Sequence, residues 1–257
     1  MEQIMLWFEQ LKDQFLVWFE QLKMEFVLNF VTQNRWKLLL NGLGNTLVMT
    51  IFALVIGVLI GVTVAVLRST WETNHTKMKS GVGKFFFSLA NRICILYTTI
   101  IRGTPVVVQL LILYYIVFAT SKNGIAVATF AFGLNSGAYV SEIVRGGILS
   151  IEKGQMEAGR SLGLNYVQTM WYIIAPQVFK NILPTLCNEF ISLLKETSVA
   201  GYVAVADLTF AGNRIRGVTY SPFMPLIAVA LIYLVLVTLL TWLVGKLERR
   251  LRQSDNR

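Results

Sequence analysis

The chain has 257 residues, 55% hydrophobic and 14% charged, with a formal net charge of +9. Ordinary soluble domains hold about a quarter charged residues, so this composition excludes a soluble globular protein and indicates an integral membrane one. Excess positive charge can attract nucleic acid, but here the basic residues are spread between apolar runs rather than gathered in one domain, and no nucleic-acid partner is implied.

Residues 6–15, LWFEQLKDQF, recur as VWFEQLKMEF at 17–26. An 11-residue period is ~3.67 residues per turn, which keeps equivalent positions on one side of a helix. Trp7, Phe8, Leu11, Phe15, Trp18, Phe19, Leu22 and Phe26 then share a face, with Glu9, Lys12, Asp13, Glu20 and Lys23 opposite. The segment lacks a basic start, an uncharged core and a small-residue cleavage site, so it does not read as a signal peptide. Residues 1–34 are expected to be an amphipathic helix lying in the membrane interface. The slightly acidic polar face fits the outer side, and anchoring outweighs docking of a partner.

A membrane-spanning helix needs ~20 apolar residues. Residues 43–67 supply the first span without a charge, and 223–244 supply the last, ending in Trp242 and KLERRLR. Between them, Thr104 and Pro105 suit a helix start, so 104–120 reads as a second span with Arg102 at its mouth. Residues 124–144 form a third, with Glu142 near its end. A fourth, 182–205, contains Glu189, Lys195 and Glu196 and is required by topology. With five spans and the N-terminus outside, fourteen of the 23 Lys and Arg residues fall on the cytoplasmic face, Lys77, Lys79, Lys84 and Arg92 among them, against seven outside. This agrees with the positive-inside rule, and leaves 248–257 as a basic cytoplasmic tail. Cys94 and Cys187 belong to no CxxC pair, so two buried thiols are expected and no metal site. His75 reads as a loop residue, and Asp207 is expected at the outer rim.

The connection between spans three and four carries EAGRSLGLNYVQTMWYIIAP at 157–176. Good helix formers run from Glu152 to a stop at Gly163, Asn165 can start a second short helix, and Pro176 marks its end region. Two short helices joined at a glycine form a knob that can pass on a rigid-body push. The spacing Glu157-Ala158-Gly159, Gly163, Ile173 and Ala175-Pro176 resembles the EAA loop of ABC importer membrane subunits, with Gly159 where that pattern has alanine and Ala175 where it has leucine. The glycine costs ~1 kcal/mol relative to alanine in a helix. IRGTPVVVQL, SGAYVSEIVRGGI and FISLLKETSVAGY are similar to segments of the polar-amino-acid branch, and the resemblance covers about 42–247.

That resemblance implies an all-α, five-span integral membrane permease working as a homo- or heterodimer in a prokaryotic plasma membrane. It implies a coupling helix docked on a cytoplasmic ATPase through Glu157, Ala158, Gly159, Gly163 and Pro176, and an extracytoplasmic amino-acid-binding protein. ATP and Mg would sit on the partner ATPase: the chain has no GxxxxGK[ST], and GVGKF lacks both the spacing and the hydroxyl residue. Neither a cofactor nor a catalytic site is expected in this chain.

Charges within a bilayer default to function or pairing. Glu189 and Glu196 are seven apart on one helix face, with Ser192 between them. They either line a substrate path, with a lean towards arginine or lysine, or pair with Lys195 or Arg102. Gln109, Asn135 and Ser198 serve equally as path-lining hydrogen bonders or as interhelical glue. Arg102, Glu142 and Arg145 read as a hinge or ion-pair group. A secondary transporter driven by an ion gradient is the alternative; such folds commonly show internal repeats across the membrane, and none is visible here. A membrane enzyme finds neither metal-ligand spacing nor a nucleophile with an evident base.

Overall fold

The computed structural model describes residues 2–76, 78 and 80–253. Lys77, Lys79, the tail from 254 and the side chains of 2–6, Phe8, 252 and 253 lie outside the described residues. The order is α1 (Glu2–Phe26), α2 (Trp36–Asn74), α3 (Val82–Gly103), α4 (Val106–Ile112), α5 (Gly124–Leu149), α6 (Lys153–Ser161), α7 (Tyr166–Thr169), α8 (Ala175–Glu196), α9 (Leu208–Thr219) and α10 (Phe223–Gln253). No strand occurs among the described residues.

Among the described residues three helices suffice by length and composition to cross a membrane: Trp36–Asn74, Val82–Gly103 and Phe223–Leu251. Two further traverses come from α5, whose residues are largely buried, and α8, which carries Glu189, Lys195 and Glu196. The first and last expected spans fall inside α2 and α10, and the third inside α5, whose N-terminus Asn123 caps by accepting from the Ala126 N–H.

The second span corrects the expectation. Thr104 and Pro105 do break the chain, but inside the traverse rather than at its entrance: α3 leads into the break, and α4 with a π-turn at Leu113–Val117 leads out. Pro105 stands in extended backbone as the α4 N-cap, and the Thr104 hydroxyl turns back to donate to Ile100 O at 2.8 Å. Arg102 therefore lies within the span, and Lys84 and Arg92 lie on a helix rather than in a loop. The sequence reading left α3 among the loops because those two charges and Asn91 interrupt its apolar run, although its length and composition suffice for a span.

Helices α2 and α5 run parallel in close contact. A Cβ on Gly61 would lie 2.6 Å from Val140 Cγ1, and one on Gly133 would lie 2.7 Å from Ile56 Cγ2. Such small residues let backbones approach where lipid supplies no hydrophobic drive between helices. Around this pair, Met49, Leu110, Phe132, Leu193 and Val203 form one buried core, and Ala65, Val140, Val144, Ile174, Val178 and Ile182 form another nearer α6.

The chain leaves α8 through a 3-10 turn at Thr197–Val203, stopped by Ala204 in left-handed backbone, φ 57°. Asp207 then caps α9, an element absent from the sequence reading, by accepting from the backbone N–H groups of Thr209 (2.9 Å) and Phe210 (3.0 Å). Asp207 is fully buried, its backbone against Gly42 near the start of α2. Cys94 is buried and Cys187 half-buried; both are free. His75 is the C-cap of α2, its ring stacked on Trp71 at 5.5 Å.

Candidate functional site

The loop of 150–174 is built by local rules that the sequence states openly. Helix α6 ends in a Schellman turn: Leu164 N donates to Gly159 O (3.1 Å), Gly163 N donates to Arg160 O (3.0 Å), and Gly163 takes φ +85°. Only glycine adopts that backbone without steric cost. Asn165 then starts α7 with a reciprocal capping box, Gln168 N donating to its Oδ1 and its own N–H donating to Gln168 Oε1, each at 2.9 Å.

Two details differ from the expected knob of two separate short helices. Helix α7 does not end near Pro176; it widens into a π-turn at Met170–Ile174 and continues as α8, with Pro176 in the first turn of that helix. A π-turn re-routes the hydrogen bonding that proline interrupts, so Pro176 is a joint within a continuous rod. Gly159 is buried rather than merely a weak helix former: a Cβ there would meet Thr169 Cγ2 at 2.5 Å, Thr169 Oγ1 at 2.9 Å and Ile173 Cδ1 at 3.0 Å. The missing side chain is what lets α6 lie against the α7 turn.

Glu157, Ala158 and Arg160 point outward, and Leu162, Val167, Trp171 and Tyr172 add an apolar skirt that is 69–79% exposed. Behind α6 an open cleft of ≈ 600 Å³ is lined by Ser69 and Thr73 of α2, Ile148 at the end of α5, Met156 and Glu157 of α6, and Met170.

Just inside that cleft lies the charged cluster. Arg68 Nη1 donates to Glu142 Oε1, and Arg145 donates through Nε (3.1 Å) and Nη2 (2.8 Å) to Glu142 Oε2. Arg145 also approaches Glu72 at 3.9 Å. Glu142 and Arg145 thus form the ion pair, while Arg102 stands apart, its guanidinium 5.6 Å from the Tyr139 ring centroid. Arg68 and Glu72 were missed by sequence reasoning; their signal was an Arg and Glu four apart at the end of the first apolar run, on the helix face turned to α5. Arg68, Thr98, Arg102, Tyr139 and Glu142 line a second cavity of ≈ 430 Å³.

The remaining candidates spread over the bundle. Glu189, half-buried on α8, accepts from Ser136 Oγ of α5 at 2.8 Å. Neither Glu189 nor Glu196 has a cation within 4.0 Å among the described residues, and Lys195 is exposed. Gln109 and Asn135 meet each other, Asn135 Nδ2 donating to Gln109 Oε1 at 2.9 Å, while Gln109 Nε2 donates to Ile101 O (2.8 Å) and Thr104 O (3.0 Å). The Gln109 amide therefore satisfies carbonyls freed by the helix break. Ser198, two residues beyond Glu196, lines a recess of ≈ 280 Å³ with Thr209 and Asn213. No group of three or more His, Cys, Asp or Glu suited to a metal occurs among the described residues.

Helix α6 thus faces outward at one end of a helical bundle and is joined to it through α7, the π-turn and α8. Residues 80–253 match the family described as binding-protein-dependent transport system inner membrane component. The chain belongs to this family. It is an integral membrane permease, a transport subunit rather than an enzyme, and the reading as a transporter driven by an ion gradient alone is set aside. The permease is 36% identical over 223 residues to the arginine transport system permease protein ArtQ of Bacillus subtilis, covering 84% of this chain and 94% of that one. It is 34% identical over 226 residues to the L-cystine transport system permease protein TcyB of the same organism, covering 87% and 90%. A crystal structure of an amino acid ABC transporter with histidines superposes at a TM-score of 0.73 with 37% identity, covering 86% of the permease and 98% of that chain. The MetNI methionine ABC transporter, inward facing, shares the fold at a TM-score of 0.70 with 20% identity.

Proposed function

We propose that this permease forms the membrane pathway of an ATP-driven importer of polar amino acids, with a lean towards basic ones, and that an ATPase drives it through α6. The observation that carries this reading is a mechanical continuity: α6 packs through Gly159 on α7, and α7, the π-turn and α8 form one rod, about 45 Å long at 1.5 Å per residue, that bears Glu189 and Glu196. A push on α6 is thereby delivered to the carboxylates. ATP and Mg are held by the ATPase, whose surface meets Glu157 and the Leu162–Trp171 skirt. A second permease subunit completes the pathway, and an extracytoplasmic binding protein delivers substrate at the end opposite α6. Arginine, cystine and glutamine in the names of relatives support amino acids as the substrate class.

The lean towards basic substrates is supported by two carboxylates that have no cation within 4.0 Å among the described residues. A lone charge in a bilayer costs at least ~2.5 to 3.5 kcal/mol, and a cationic side chain arriving with the substrate offsets that cost. The α-ammonium of any amino acid satisfies one carboxylate; the second distinguishes a basic side chain. Arg68 and Arg145, joined through Glu142, hold the ends of α2 and α5 together where the α6 loop begins, so a movement of the loop is shared by both helices.

Reconstitution with the ATPase in proteoliposomes tests the function. ATP-dependent uptake of labelled amino acids is expected, and Glu157→Lys should keep membrane insertion while separating hydrolysis from uptake; normal uptake by that variant counts against docking at α6. Orientation, with the N-terminus outside, is tested by an impermeant thiol reagent on intact cells, which should label Gln33→Cys and not Ser254→Cys.

A further inference from the structure

Helix α1 precedes the region of the family match, and none of its described residues lines the cavities named above. It is a 25-residue helix whose aromatic residues remain open: Trp7, Phe15, Trp18 and Phe19 are 53–60% exposed. At 100° per residue these four, with Leu11, Leu22 and Phe26, form one stripe that the 11-residue repeat keeps straight. Lys12 and Lys23 stand at one flank of the stripe, and Glu9, Asp13 and Glu20 stand opposite.

Where α1 leaves the bundle is fixed by a polar latch. Asn29, fully buried, donates to Glu25 O (2.8 Å) and Ser221 Oγ (3.1 Å) and accepts from Thr219 Oγ1 (2.7 Å). Phe30 beside it is buried among Leu39, Leu208, Ile215 and Val229. The latch ties the α1 end to the α9–α10 corner, at the start of α2 and so at the end of the bundle opposite α6.

Beyond the latch, Val27, Leu28, Val31, Trp36 and Leu40 are also exposed, as are Ile51, Val55 and Val62 on one side of α2. Helix α2 is long and apolar enough to cross a membrane. The lysines that flank the α1 stripe are placed to extend their stems along apolar surface with the ammonium groups in water.

We infer that α1 lies flat in the headgroup region of the bilayer at the end opposite α6, aromatic stripe towards the acyl chains, held there by apolar burial rather than by attraction to anionic lipid. The acidic residues of the polar face outnumber its lysines, which removes the electrostatic route to a negatively charged surface.

The test uses the full chain in phosphatidylcholine nanodiscs, with Cys94→Ser and Cys187→Ser as background and single spin labels at Phe15→Cys, Phe19→Cys, Leu22→Cys, Glu9→Cys, Asp13→Cys and Glu20→Cys. Labels at 15, 19 and 22 should collide more with oxygen than with a water-soluble nickel chelate, and those at 9, 13 and 20 the reverse. The pattern should be unchanged when phosphatidylglycerol is added. Nickel access at all six positions would mean that α1 stands in water and would overturn the inference. Shielding of 15, 19 and 22 from both reagents would overturn it in favour of a protein cover, and a pattern appearing only with phosphatidylglycerol would overturn the apolar origin of binding.

Discussion

Gly159→Ala puts the transmission element to a sharp test, because two opposing effects act on one atom. Alanine raises intrinsic helix stability by ~1 kcal/mol over glycine, and in an open loop helix the variant would be stabilised. Here its Cβ would sit 2.5 Å from Thr169 Cγ2 and 2.9 Å from Oγ1, where unstrained contacts begin near 3.4 Å. Thr169 is fully buried and its hydroxyl donates to Asn165 O at 2.9 Å, so rotating away sacrifices a hydrogen bond of ~1 kcal/mol. Overpacking of this kind costs ~1 to 3 kcal/mol, which outweighs or cancels the propensity gain. The relief is for α6 to lift off α7 by about 1 Å, the shortfall between a 2.5 Å approach and that limit. Uptake per ATP hydrolysed, measured in proteoliposomes with the ATPase, should fall in Gly159→Ala and recover in Gly159→Ala with Thr169→Ala, which removes both close atoms and leaves only the flexible end of Ile173. An unchanged uptake ratio in the single variant, or an equal loss with and without Thr169→Ala, would refute the account of Gly159 as a packing site.

Gly163→Val should cost ~1 to 2 kcal/mol, because it forces a β-branched residue to φ +85°, and should uncouple hydrolysis from uptake with the protein still in the membrane; a limited-proteolysis pattern unchanged around 160–166 would count against it. Glu189→Gln and Glu196→Gln should each weaken uptake of basic amino acids more than neutral ones, since glutamine keeps size and hydrogen bonding but not charge; equal loss for every amino acid argues against recognition by this pair. Glu142→Gln leaves Arg68 and Arg145 facing each other without their carboxylate. Breaking a buried pair costs ~3 to 5 kcal/mol; with side chains 14–27% exposed a fraction of that is expected, read as lower thermal stability in detergent that Arg68→Gln in the same chain partly restores.

The sequence by itself determined whatever depends on residues close along the chain. Apolar runs placed α2, α5 and α10, the 11-residue period placed α1, and Gly163 and Asn165 placed the stop and the start in the loop of 150–174, because Schellman turns and capping boxes are three- to six-residue interactions. The spacing of Glu157, Gly163 and Pro176 was enough to recognise the loop. Tertiary structure decided what depends on which faces meet. Thr104 and Pro105 look identical at a span's entrance and at a break within one; only the Gln109–Asn135 contact, at the level of mid-α5, shows which it is. Gly159 read as a loosened helix because Thr169, ten residues on, is brought against it only by the folded loop. Arg68 escaped notice because its partner Glu142 is 74 residues away, and charges find one another across a bundle by packing rather than by spacing. Glu189 and Glu196 were visible as charges in an apolar segment, but the alternative partners Lys195 and Arg102 are adjacent or distant in sequence for reasons unrelated to reach. The rotation of α8 turns Lys195 outward and leaves both carboxylates to the bundle, and rotation about a helix axis is fixed by neighbouring helices, which no local pattern encodes.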